Sequence, residues 1–164
     1  MSAVAQRRHG ATAGHGVLTR IGQAVMLHRG GDREEARKRM TALWQELGPC
    51  ADAYQRCTLA HYLADTQDSP LEELRWDLRA LSVAQSSRGH SDAGRTELRA
   101  LLPALHLDLA ADYARLARHS EARWELGRAR TALDALEDDP HRQGIRADIE
   151  CLQRRLDRAG GHRS

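Results

Sequence analysis

One short segment of the sequence combines three side chains that could do chemistry. Cys57, His61 and Asp65 follow one another at intervals of four residues. Four residues are close to one turn of an α-helix, so these side chains would share one helix face. A thiolate, an imidazole and a carboxylate are zinc ligands, and a thiol beside an imidazole can act as a nucleophile. The spacing therefore raises the hypothesis of a metal site or a hydrolytic site.

The rest of the sequence gives this hypothesis little support. Zinc takes three or four ligands; His61 and Asp65 supply two, and Asp108, Cys57 or His28 could add a third. No H-E-x-x-H motif, closely spaced cysteine pair or aspartate-rich loop accompanies them. A His–Asp pair at this spacing is most often a hydrogen bond on a helix surface. We therefore expect no catalytic residue, no bound metal and no cofactor, and keep metal binding or hydrolysis by His61 and Asp65 as the alternative.

Composition favours a single all-helical domain. The 164 residues are 41% hydrophobic and 29% charged, which is ordinary for a globular protein. Only 4% are aromatic and Phe is absent, so Leu and Ala, both strong helix formers, must build most of the core. The three cysteines form no C-x-x-C pair, which favours a reduced, cytoplasmic protein. A net charge of +2 predicts no nucleic-acid partner, and no apolar run is long enough to predict a membrane span.

Hydrophobic periodicity predicts about seven helices within one domain, residues 17–158. The predicted helices cover approximately 17–29, 33–47, 51–65, 70–85, 95–117, 120–136 and 140–158. Pro103 lies inside the fifth of these, where we expect a kink or a restart. The segment 86–94 is the clearest loop. Residues 1–16 and 159–164 are rich in small residues, and we expect both to be disordered tails.

Three predicted helices repeat a small residue followed by a large one three positions later. These pairs are Ala24 and Leu27, Ala60 and Leu63, and Ala110 and Tyr113. The helices that follow them align through Ala36, Leu74 and Ala122, and four residues on through Met40, Leu78 and Leu126. Such spacing lets two antiparallel helices approach closely at the small residue and interlock around the large one. Each pair leaves one face that the next pair must cover.

This pattern resembles the tetratricopeptide repeat, in which a small residue after Leu is followed by Tyr, Ala and Phe at fixed steps. The third copy matches best, through Leu109, Ala110, Tyr113, Ala122 and Leu126. The resemblance covers residues 17–136. Within this range the sequence is similar to the small repeat proteins that are typical of actinobacteria. It implies an all-α fold of antiparallel helix pairs, stacked as a short right-handed superhelix and closed by a C-terminal capping helix.

The same resemblance implies a protein–protein interaction module, a scaffold or regulator rather than an enzyme. The first helices of such pairs line a concave groove that holds a peptide or helix segment. The partner-binding residues implied for this groove are His28, Arg29, His61, Asp65, Leu107, Asp108, Ala111 and Arg115. Cys57 would lie on the same face, and Ile21 and Val25 would add to an apolar floor. A homodimer is a further possibility.

Three residues with aromatic rings are predicted to serve packing rather than ligand binding. Trp76 and Trp124 occupy the same position in the second and third copies, where we expect them between helices. His106 takes the place of the repeat's tryptophan, and we expect it to be a half-buried structural residue.

Overall fold

Seven α-helices form the part of the chain that the structure describes. The computed structural model describes residues 3–86 and 92–161, with side chains from residue 15 onward. The helices are α1 (Ala3–Arg29), α2 (Arg33–Leu47), α3 (Ala53–Asp65), α4 (Pro70–Gln85), α5 (Asp92–Arg115), α6 (His119–Asp134) and α7 (Pro140–Gly160). Over these two ranges there is no strand, and no helix has the length and apolar character needed to cross a membrane. The all-α prediction is confirmed.

The helices pack as a stack of antiparallel pairs. Short connections join α1 to α2, α3 to α4 and α5 to α6, and the members of each pair contact each other. The first helices of successive pairs also touch, α1 against α3 and α3 against α5. The last helix, α7, contacts both α5 and α6 and shares a hydrophobic core with them. It therefore covers the side of the third pair that a fourth pair would otherwise cover.

Alanine lies at the close contacts between the helices. The side chains of Ala24, Ala60 and Ala110 are between 0% and 2% exposed, and Ala36 and Ala122 are fully buried. An alanine ends at Cβ, so the backbones of two helices can approach closely at these points. The small-residue repeat found in the sequence therefore marks real packing positions.

Capping side chains set the start of several helices. Asp32, Ser69 and Asp139 each accept a hydrogen bond from the backbone N–H three residues further on. These bonds satisfy donors that a helix leaves unpaired at its first turn. The predicted starts of α2, α4 and α7 are confirmed, whereas α3 is capped by Asp52 and begins two residues later than predicted.

Both terminal helices are longer than the sequence analysis predicted. Residues 3–16 continue α1 and residues 159–160 complete α7, although both segments were expected to be tails. Alanine, glutamine and arginine favour helix, and here they outweigh the interspersed glycines that suggested a break. Residues 1–2 and 162–164 lie outside the described residues, so the tail prediction stays untested for them.

The fifth helix also differs from its prediction. It begins at Asp92 and continues through Pro103 without a restart, whereas the kink expected there stays a prediction. The Pro103 side chain is fully buried, and its packing offsets the backbone hydrogen bond that a proline cannot make. Residues 87–91 of the predicted loop lie outside the described residues, and Ser86 caps the end of α4.

The leucine spacing of α4 predicts an inward stripe of Leu71, Leu74, Leu78 and Leu81, and the structure confirms half of it. Leu74 and Leu81 are buried, whereas Leu71 and Leu78 are 47% and 40% exposed. The buried residues of α4 are Leu74, Asp77, Ala80, Leu81 and Ala84. Asp77 and Ala80 repeat the buried spacing of Met40 with Leu43 in α2 and of Leu126 with Ala129 in α6.

Enlarging the alanine at the centre of the stack should destabilise the fold. We expect Ala60→Leu to lower the free energy of unfolding by about 1–3 kcal/mol, because the added carbons must separate the helices. Ala147→Leu, at an exposed position of α7, is the control and should change it by less than about 0.5 kcal/mol. Urea denaturation followed by circular dichroism measures both, and equal effects would contradict close packing at Ala60.

Candidate metal centre

Three pairs of ionisable residues, each with a spacing of four, lie on three consecutive helices. The pairs are His61 and Asp65 on α3, Glu73 and Asp77 on α4, and Asp108 and Asp112 on α5. The spacing places both members of a pair on one face of their helix. Because α3, α4 and α5 all contact one another, the three faces meet. We call these six residues the acid cluster.

Two sets of possible ligand atoms overlap within the acid cluster. His61 Nδ1 lies 3.1 Å from Asp108 Oδ2 and 3.9 Å from Asp77 Oδ1. One ligand atom from each of His61, Asp77 and Asp108 lies within 4.8 Å of the others, and Glu73, Asp77 and Asp112 meet the same distance. Asp77 belongs to both sets. It is therefore the centre of the cluster.

Several buried polar atoms of the cluster lack hydrogen-bond partners. The side chains of Asp77 and Asp112 are 3% and 1% exposed. Asp77 Oδ1 and Asp112 Oδ2 have no hydrogen-bond partner within residues 15–86 and 92–161, and His61 Nδ1 has an ion-pair contact with Asp108 alone at short distance. A buried polar atom without a partner costs about 1–3 kcal/mol. A cation that accepted these lone pairs would remove that cost.

Burial changes the protonation of the cluster. It raises the pKa of Asp77 far above its ordinary value, and the carboxylates of Asp108 and Asp112 raise that pKa further. Burial also raises the pKa of Asp112, against the opposing effect of hydrogen bonds from Asp77 and Arg115. These effects together favour the protonated form of Asp77 at neutral pH.

The histidine and the outer aspartate respond to the same surroundings. Burial lowers the pKa of His61, but Asp108 and Asp65 raise it by more, so its pKa lies above the ordinary value. Partial desolvation by the surrounding side chains raises the pKa of Asp65, although the residue as a whole is exposed, while the imidazoles of His61 and His28 lower it. His61 therefore gains a proton more readily than a free imidazole does, and a bound metal would have to displace that proton.

One arginine contacts the cluster at its outer edge. Arg115 Nη2 lies 2.6 Å from Glu73 Oε2 and 2.6 Å from Asp112 Oδ1. The guanidinium therefore supplies one positive charge to the two carboxylates of Glu73 and Asp112. Asp108, whose side chain is 38% exposed, connects the other half to solvent.

The structure separates the residues that were predicted to form a groove. His61, Asp65, Asp108 and Arg115 meet at the acid cluster. Leu107 and Ala111 are half-buried and pack against the core shared with α7, while Ile21 and Val25 are buried between the first helices. His28 is half-buried and Arg29 exposed at the end of α1. The expected apolar floor is thus largely covered by the fold itself.

Cys57 does not take part in the site. Its side chain is fully buried, and its Sγ donates a hydrogen bond to the backbone oxygen of Ala80 at 3.4 Å. Burial raises the pKa of the Cys57 thiol to about 12. A thiol in this state is neither a nucleophile nor a metal ligand at neutral pH.

The three residues assigned to packing have different outcomes. Trp76 packs edge-on against Trp44 with ring centroids 5.2 Å apart, as expected between helices. His106 is 3% exposed and its Nδ1 lies 2.7 Å from Glu125 Oε2, so it is structural but more deeply buried than predicted. Trp124 is 67% exposed, and its assignment to packing is wrong. The buried stripe of α6 runs through Ala122, Leu126, Ala129 and Leu133, which leaves Trp124 on the opposite face.

Sequence analysis missed Glu73, Asp77 and Asp112. Each resembles an ordinary solvated residue when its own helix is considered alone. The available signal was the recurrence of the four-residue spacing of ionisable residues on α3, α4 and α5.

No protein-family model, curated protein or solved structure matches this chain. The resemblance to tetratricopeptide repeats therefore stays a prediction that depends on the quoted residues and on the stacking of the helices.

The metal-free protein should become less stable as pH rises from 5 to 8. The folded state raises the pKa values of Asp77, Asp112 and Asp65, so it keeps protons that the unfolded chain releases. His61 acts in the same direction, because its raised pKa contributes stability that is lost as pH passes through its folded pKa. For each proton that the folded state retains, the free energy of unfolding falls by about 1.4 kcal/mol for every unit by which the pH rises.

Asp77→Asn should flatten this dependence and raise stability at pH 8, because an amide has no proton to lose. Asp134→Asn removes an equal charge from an exposed position on α6 and should keep the wild-type slope. Urea denaturation in the presence of a chelator measures all three proteins. An unchanged slope in Asp77→Asn would mean that Asp77 is ionised in the folded state.

Proposed function

We propose that this protein binds one divalent transition-metal ion at the acid cluster, through His61, Asp77 and Asp108. The observation that carries the proposal is the buried Oδ1 of Asp77. This oxygen has no hydrogen-bond partner in the described ranges, and it lies 3.9 Å from His61 Nδ1, which itself lies 3.1 Å from Asp108 Oδ2. A carboxylate in this position costs stability unless something accepts its lone pairs.

The ligand atoms suit such an ion in distance and chemistry. Bonds of about 2.0–2.2 Å to one ion place neighbouring ligand atoms roughly 3–3.5 Å apart. The His61–Asp108 distance of 3.1 Å falls in that range, and the His61–Asp77 distance of 3.9 Å needs only a small contraction. A set of one nitrogen and two oxygens favours Mn²⁺, Fe²⁺ or Zn²⁺ over Ca²⁺ and Mg²⁺, which prefer oxygen alone.

Exposure in the cluster fits a site that can be loaded from solvent. Asp108 and His61 are 38% and 26% exposed, whereas Asp77 is 3% exposed. An ion would therefore meet Asp108 and His61 before it reaches Asp77. Because Asp77 is protonated at neutral pH, loading the ion would release that proton into solution.

Isothermal titration of tag-free protein with Zn²⁺ and with Mn²⁺ should show one ion per chain and release of protons. Asp77→Asn should weaken binding at least tenfold, because it removes an anionic ligand, while Asp134→Asn should bind as the wild type does. At one hundred times the dissociation constant, the ion should stabilise the wild type by about 2.7 kcal/mol.

Asp77→Asn makes this test sharper, because the substitution should raise the stability of the metal-free protein and lower its affinity for the metal. Asp77→Asn is expected to be more stable than the wild type without metal and to gain less from added metal. If the wild type binds no ion, or if both proteins gain equally, the proposed metal site is wrong.

Partner binding, which the repeat pattern predicts, is a second candidate function. The observation that favours it is Trp124, 67% exposed at the edge of a cavity of about 550 Å³ between α5 and α6. Leu102, Arg123 and Arg128 also line this cavity. Exposed tryptophans dominate many binding surfaces, so we place the partner here. A peptide or helix segment would insert an apolar side chain into the cavity.

Trp124→Ala should release this partner without changing the fold. Truncating a central tryptophan costs about 2 kcal/mol or more of binding energy, roughly a thirtyfold loss of affinity. Isotope-labelled co-purification from the native cell should recover the partner with wild type and with Asp77→Asn, but not with Trp124→Ala. Equal recovery by all three proteins would contradict binding at Trp124. Light scattering of the same samples shows whether the partner is a second copy of the chain.

A further inference from the structure

Arg115 lies within the second set of possible metal ligands. That set consists of Glu73, Asp77 and Asp112, whose ligand atoms lie within 4.8 Å of one another. Arg115 Nη2 contacts two of the three carboxylates, each at 2.6 Å. The third, Asp77, also belongs to the proposed metal site. A guanidinium thus takes the place of a possible second ion.

We propose that Arg115 acts as an internal cation that restricts the cluster to one metal ion, and that its removal opens a second site bridged by Asp77. This inference rests on the proposed function, because the first ion is the one held by His61, Asp77 and Asp108. A carboxylate has two oxygens and can bind one ion with each, so Asp77 has the chemistry that a bridge requires.

Charge balance supports the substitution of one cation for another. Asp112 is 1% exposed and Glu73 21% exposed, so their charges cannot both be left to solvent. Arginine stays protonated across the physiological pH range, so it supplies one positive charge to these two carboxylates. A neutral side chain at position 115 would leave two neighbouring carboxylates without a counter-charge, and a divalent ion supplies that charge.

The ion pair leaves part of the second set unsatisfied. Arg115 contacts Oδ1 of Asp112, whereas Oδ2 of the same carboxylate is buried without a hydrogen bond in the described ranges. This atom is an unpartnered ligand in a side chain that is almost fully buried. The second set therefore consists of more than acidic residues that happen to be close together.

The position of Arg115 makes the inference testable. It is the last residue of α5, and its side chain is 43% exposed. A substitution there leaves the helical hydrogen bonds and the hydrophobic core in place.

The number of ions also determines which chemistry the cluster can support, because two bridged ions can bind the attacking and leaving groups of one reaction.

Equilibrium dialysis against Mn²⁺, followed by metal analysis, counts the ions per folded chain. We expect one ion in wild type and two in Arg115→Gln. Arg118→Gln removes the same charge from the adjacent exposed pair with Glu121 and should keep one ion. Arg115→Lys retains the cation and should also keep one. Glu73→Gln/Arg115→Gln should return to one ion, because it lacks a ligand of the second site.

Electron paramagnetic resonance of the Mn²⁺ forms then shows whether the two ions share a ligand. Spin coupling between the ions is expected in Arg115→Gln and not in wild type. A second variant, Arg115→Ala, provides the same count if the glutamine variant does not fold. One ion in either folded variant, or two in wild type, overturns the role of Arg115 and leaves the first site intact. No ion in wild type overturns the proposed function as well.

Discussion

Close helix contact at alanine is the constraint on which the acid cluster depends. Ala60, Ala80 and Ala110 are fully buried on α3, α4 and α5, and each lies within three residues of a member of the cluster. At these points the backbones of the three helices can approach closely. Only at such separations can short aspartate side chains from different helices reach one another. The packing that stabilises the stack is therefore also what brings the candidate ligands together.

The cluster has a cost that the other helix pairs do not bear. Asp77 lies on the buried face of α4, whereas the buried residues of α2 and α6 are all hydrophobic, and it brings a carboxyl group with an unpartnered oxygen. Local rules of core composition are most often broken where a protein has a function to perform. The repeat offers an internal comparison, since two pairs keep the hydrophobic residue and one does not. The middle pair is thus the one that departs from the hydrophobic pattern of the other two.

Sequence patterns predicted the features of this protein that depend on a single helix. The helix starts at Asp32 and Ser69 follow from capping chemistry, and the buried alanines follow from one-helix periodicity. The cluster could not be found in this way, because Glu73 and Asp77 alone resemble a solvated face of α4. The exposure of Trp124 was missed for a related reason, since only the packed stack determines which face of α6 the neighbouring helices leave uncovered.

The face shared by Cys57, His61 and Asp65 shows how packing divides one helix among different environments. Cys57 is fully buried, His61 is 26% exposed, and Asp65 is exposed at the end of α3. Equal spacing thus gave three residues with unequal access to solvent, so they cannot act as one ligand set. The set that the fold assembles takes His61 from α3 and carboxylates from α4 and α5. An ion held there would join three helices, and its binding would depend on the packing of the stack as well as on ligand chemistry.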